Sequence, residues 1–242
     1  MSYNGSKAAS QAENEGSIPF TRSITNTYMQ TATQPLHTPT HDADHTLEIG
    51  TELLAKSGEI ILISGSCGSG KTLWLHRLAG LVPMPAEIDA RINHQPVAKQ
   101  ITRMLFEQWP AIWLGQSVDD ELRFGLGYQP DEQQIKAALS RWGVSELAVD
   151  CQTTALNRLQ AVRVTLAGIS MAAPVVTLLD NPTDALPAAD AAQLIADISD
   201  WARASKTIVV VACNRWHDWQ QTATQHWQVL SPDSLPQSRG HA

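Results

Sequence analysis

Cysteine is scarce in this chain of 242 residues: Cys67, Cys151 and Cys213 are odd in number and far apart. Such spacing fits neither a secreted disulfide framework nor a set of zinc ligands, and it points to a reducing compartment. Long apolar runs are missing too. The most apolar stretches, residues 60–63, 175–179 and 208–211, fall far short of the ~20 residues that cross a bilayer, so a membrane-spanning partner has to be a separate chain. Basic charge is in deficit, with 17 Lys and Arg against 24 Asp and Glu and a net charge of -7. That balance argues against a broad electrostatic grip on nucleic acid or on an anionic membrane. The first residues lack the charged start and apolar stretch of a signal peptide. Residues 1–17 read as a flexible tail, with a cleaved targeting segment or a partner-binding arm as alternatives.

What is present suits a globular chain. A hydrophobic content of 43% supports a core of ordinary size without disulfides or metal. Apolar runs of strand length alternate with segments of helical period, the pattern of a mostly parallel sheet covered by helices on both faces. Residues 60–64 read as a buried strand, residues 71–79 as the helix after it, and Gly80 as its stop. Ser117 is placed to cap a short helix through Leu122. Residues 131–142 set Ile135, Ala138, Leu139 and Trp142 on one helical face before Gly143. A further helix starts near Asn157 or Arg158. Strands follow at residues 175–179 and 207–213, with a helix at 188–202 between them. The stretch from about 110 to 170 carries helix signals without strand signals, which predicts a helical subdomain inserted into the sheet domain of residues 18–242.

The segment GSCGSGKT fits the pattern G-x-x-x-x-G-K-[ST] and lies between a predicted buried strand and a predicted helix. Its glycines, Gly65, Gly68 and Gly70, free the backbone around Ser66, Cys67 and Ser69, so that successive amide N–H groups converge on phosphate oxygens. Lys71 supplies a mobile positive charge. Thr72 is expected to place its hydroxyl on Mg2+, and Asp180, at the end of the apolar stretch VVTLLD, to hold the same ion. Cys67 admits two readings, a redox-sensitive thiol or an inert buried one.

With these motifs in this order, the chain resembles the ATP-binding subunits of ABC transporters over about residues 49–230, and SVDDELRFGL (117–126) is similar, more weakly, to the cobalt and energy-coupling-factor importer ATPases. The resemblance implies an α/β P-loop NTPase core of the ABC ATPase type, with ATP and Mg2+ as ligands. Its implied partners are an integral membrane transporter subunit and a second ABC ATPase subunit, as homo- or heterodimer, with no nucleic acid. The implied location is peripheral, at the cytoplasmic face of the cell membrane.

Several family positions are substituted. Asn181 stands where the family has the glutamate that orients or deprotonates the attacking water. Cys213 stands at the switch histidine, with His217 four residues on. LNRLQ (Leu156, Asn157, Arg158, Leu159, Gln160) replaces the LSGGQ signature, and Pro187 falls where an acidic residue is usual. For the glutamine loop, Glu107 is in register, Gln108 is adjacent and Gln116 follows; Gln108 is preferred, as a metal ligand. Tyr28 is matched to the upstream aromatic that stacks on adenine. The resemblance thus implies nucleotide binding with weakened or partner-assisted hydrolysis in a transporter, an importer by its nearest subgroup. The alternative is a soluble regulatory ATP-binding pseudoenzyme.

Overall fold

The structure, a computed structural model, describes residues 44–97, 102–107 and 109–239. The chain enters with β1 (Thr46–Ile49), β2 (Leu53–Lys56) and β3 (Ile60–Ser64), then the helix α1 (Lys71–Leu78). Three short strands follow, β4 (Ala90–Ile92), β5 (Gln95–Pro96) and β6 (Thr102–Leu105). The helices α2 (Val118–Arg123), α3 (Glu132–Arg141) and α4 (Arg158–Met171) lead to β7 (Val176–Asp180). After α5 (Ala188–Ser205) come β8 (Ile208–Ala212), β9 (Gln225–Gln228) and β10 (Gln237–Arg239).

The main sheet has the order β10-β9-β3-β8-β7-β6. Its pairings are parallel, except for antiparallel β9 and β10. All five residues of β3, β7 and β8 are buried, as expected for strands covered on both faces. Alternate side chains serve two cores. Ile60, Leu62, Leu179, Val209 and Val211 face a core shared with α2 to α5, whereas Ile61, Ile63, Leu178, Val210 and Ala212 face one shared with α1 and the second sheet. Each fully buried aliphatic side chain contributes roughly 1.5–3 kcal/mol.

The main sheet is the mostly parallel one expected from sequence; beside it the second sheet, β2-β1-β4-β5, is entirely antiparallel. Its strands have four residues or fewer, too short for alternation to stand out. Between β6 and β7 the described residues form helices and one 3-10 turn (Thr153–Ala155). Local chemistry sets their ends. Ser117, Asp131 and Asn157 each accept a hydrogen bond from the backbone N–H three residues on, and their own backbone N–H groups donate to the side chains of Asp120, Gln134 and Gln160. Gly80 and Gly143 follow α1 and α3 with φ of 72° and 64°, which suits a helix stop that glycine adopts without strain. Trp142, at the end of α3, ties that helix to α4 and α5. Its ring meets Trp201 of α5 edge-on at 5.5 Å, and its Nε1 donates to Ser170 Oγ at 3.1 Å.

Candidate functional site

The loops leaving the carboxyl ends of β3, β6, β7 and β8 meet at one edge of the main sheet, where open α/β sheets place their ligands. The first is the glycine-rich loop of residues 65–70. Gly70 caps α1 with φ 102°, a conformation closed to ordinary side chains, and a Cβ there would lie 2.8 Å from Pro232 Cα. A Cβ on Gly65 would collide with Ser69 Oγ and the Val229 carbonyl. The loop is thus tightly seated from both sides. Ser69 Oγ is buried and has no hydrogen-bond partner among the described residues, and Lys71 Nζ is folded back onto the carbonyls of Gly65 (3.1 Å) and Ser66 (3.3 Å). An orphaned hydroxyl and an ammonium hydrogen-bonded to its own loop carbonyls fit the chemistry of an anion, and a phosphate answers both. Cys67 is exposed, which removes the buried-thiol reading.

Thr72, in the first turn of α1, donates from Oγ1 to Asp180 Oδ1 at 3.2 Å. Asp180 is almost fully buried at the end of β7. Burial pushes its carboxyl up to about 6; the Thr72 hydrogen bond and Lys71 oppose the rise, while Glu107 and Asp184 add to it. A hydroxyl and a buried carboxylate side by side are a donor set that suits Mg2+, whose charge would offset the cost of ionising Asp180 there.

Asn181 adopts φ 49° and joins three loops. Its Oδ1 accepts from the Asn214 N–H at 3.1 Å, which fixes the amide so that Nδ2 donates to Glu107 Oε2 at 2.6 Å and approaches Asp180 Oδ1 at 3.4 Å. Asp184 accepts from the backbone N–H groups of Asn214 (3.1 Å) and Arg215 (3.4 Å). Cys213, just before them, is buried, and burial pushes its thiol up to about 12, so it stays protonated. His217 is exposed and stacks on Trp216 at 3.6 Å, making no hydrogen bond to this group among the described residues.

The structure therefore brings together Gly65, Ser66, Cys67, Gly68, Ser69, Gly70, Lys71, Thr72, Asp180, Asn181 and Cys213. The segment LNRLQ lies elsewhere. Leu156 is buried in the helical core, Asn157 and Gln160 close the α4 cap on each other at 3.0 and 3.1 Å, and Arg158 lies over the Trp109 ring at 5.6 Å. Tyr28 and Gln108 fall outside the described residues. Two participants were passed over in sequence: Glu107, named but set below its neighbour, and Asp184, overlooked beside Pro187. Register after β6 was the signal for the first. For the second, an acidic side chain four residues before the predicted helix start at residue 188 was available.

The ABC transporter family model matches residues 50–184, more than half of the chain. The chain belongs to the ABC transporter family. Among curated relatives of this family, the sulfate/thiosulfate import ATP-binding protein CysA 1 of Agrobacterium fabrum is 34% identical over 145 residues, 55% of this chain and 42% of that protein. The energy-coupling factor transporter ATP-binding protein EcfA2 of Symbiobacterium thermophilum is 28% identical over 175 residues, 66% of this chain and 60% of that protein. The chain thus matches 42% and 60% of the length of these two ABC relatives. In fold it is similar to cbiO1 of Clostridium perfringens, part of the ABC transporter complex cbiONQ. The TM-score is 0.67 at 18% identity, covering 80% of this chain and 88% of that one. The α/β architecture described above is that of an ABC ATPase.

Proposed function

We propose that the chain is the ATP-binding subunit of an ABC-type membrane importer, acting with an integral membrane subunit and a second ATPase subunit at the cytoplasmic face of the membrane. The observation that carries this reading is the phosphate loop with its orphaned Ser69 hydroxyl and folded-back Lys71, set directly beside the Thr72–Asp180 pair. Backbone N–H groups of residues 65–71 and Lys71 hold the phosphates, with the positive end of α1 favouring their charge. Thr72 and Asp180 hold Mg2+, which when bound neutralises charge on the phosphate oxygens. Asn181 cannot take up a proton as a carboxylate does, and such general-base help contributes typically ~10^2 to 10^4 in rate. Hydrolysis by this chain is accordingly slow or partner-assisted unless another group of the site takes the proton.

The test is Mg-ATP binding by calorimetry. Lys71→Ala should weaken affinity by at least ~10-fold while the melting temperature of the ligand-free protein stays close to wild type, because the hydrogen bonds of Lys71 Nζ among the described residues go to its own loop carbonyls. An unchanged affinity would sink the reading. A second reading, a regulatory ATP-binding pseudoenzyme, draws support from the self-capped α4 and from Asn181. It is separated from the first by what co-purifies with the chain.

A further inference from the structure

Three carboxylates surround the Thr72–Lys71 corner of the site, and they are not equivalent. Asp180 is buried and accepts from Thr72. Both Asp184 oxygens accept backbone N–H groups of the loop after β8. Glu107, two residues past the end of β6, is solvent-exposed, and its only hydrogen bond among the described residues is the 2.6 Å contact from Asn181 Nδ2 to Oε2. Its Oε1 is left open. Because the Asn214 N–H holds Asn181 Oδ1, the amide cannot turn over, so Asn181 aims the Glu107 carboxylate and does not compete with it for a proton.

An attacking water has to be both positioned and relieved of a proton. A group doing this needs an unoccupied carboxylate oxygen, reach to water and a fixed orientation. Glu107 alone of the three has all of these. Taking the ATP-binding reading above as its basis, we infer that Glu107 is the proton acceptor of this site and that Asn181 is its positioning residue. In the reaction the water oxygen bonds to the γ-phosphorus while the bond from that phosphorus to the bridging oxygen breaks, its electron pair leaving with ADP. The water proton passes to the Glu107 carboxylate and from there to solvent.

The first readout is a crystal structure of the full chain with Mg2+ and the β,γ-imido analogue of ATP. A Glu107 oxygen is expected within hydrogen-bond distance of a water in line with the γ-phosphorus; a carboxylate turned to solvent overturns the inference. The second compares Mg-ATP affinity and turnover of wild type, Glu107→Gln and the exchange Glu107→Gln with Asn181→Glu. Glu107→Gln should leave affinity within about threefold and lower turnover by ~10^2-fold or more, and the exchange should recover it. Unchanged turnover in Glu107→Gln overturns the inference. So does a wild type that binds Mg-ATP yet turns over no faster than Lys71→Ala. A wild type that binds no Mg-ATP removes the ATP-binding reading itself, and the affinity measurement identifies that failure separately.

Discussion

Asp180 carries the largest conflict in the site, because a carboxylate that a divalent cation needs ionised is buried where ionisation is costly. Its folded value of about 6 lies above the ordinary 3.8, so the folded protein binds this proton more tightly than the unfolded chain. The associated stability is fully present below about pH 4 and is lost as pH rises through about 6. Asp180→Asn removes the titration and keeps an acceptor for Thr72. In EDTA at pH 7.5 it should stabilise the fold by on the order of 1–3 kcal/mol, a gain that shrinks through pH 6 and vanishes near pH 4. Urea denaturation across that range checks this, and a pH-independent difference would contradict it. With Mg-ATP present the order should reverse, wild type gaining more. The phosphate loop and Asp180 were legible in sequence because their spacing and flanking apolar runs are set by the ligand. The Asn181–Glu107 contact was not, since it joins residues 74 apart through a left-handed backbone turn that no local pattern announces.

At the level of elements, legibility followed length and capping. Residues 60–64 and 208–212 announce strands through five consecutive buried positions, and α3 and α4 announce their starts through Asp131 and Asn157. β1 and β2, with burial that merely alternates over four residues, and the polar β9 and β10, gave no comparable signal. The α4 cap also bears on function. Asn157 and Gln160 satisfy each other's backbone N–H groups, so the helix end that carries the family signature is closed on itself. Asn157→Ala should cost about 1 kcal/mol in urea denaturation, whereas Asn157→Ser should cost no more than a few tenths, because serine caps about as well. Near-equality of Ser and Asn would mean that the fold did not require the loss of the signature serine, and a large deficit for Ser would mean that it did.

At the scale of the whole molecule, the exposed apolar side chains gather on one segment. Among the described residues, six of the nine exposed large hydrophobic side chains, Phe106, Trp109, Ile112, Leu114, Phe124 and Tyr128, fall within residues 106–128, between β6 and α3. No helix among the described residues is long and apolar enough to cross a membrane, and the net charge of -7 disfavours direct adhesion to anionic lipid. Under the proposed function, a protein partner would be the occupant that fits these side chains, and because the segment includes Glu107 its docking would reach the nucleotide site. Ile112 and Leu114 are 67% and 64% exposed, so Ile112→Ser with Leu114→Ser should change stability by less than about 1 kcal/mol. Captured through a tag from gently solubilised native membranes, the wild-type chain should bring an integral membrane protein with it, and the double variant should recover at least ~10-fold less. Recovery of soluble proteins only, unaffected by the double variant, would transfer the nucleotide site to the regulatory reading. There, occupancy of the loop at residues 65–72 would be the signal and transport would play no part.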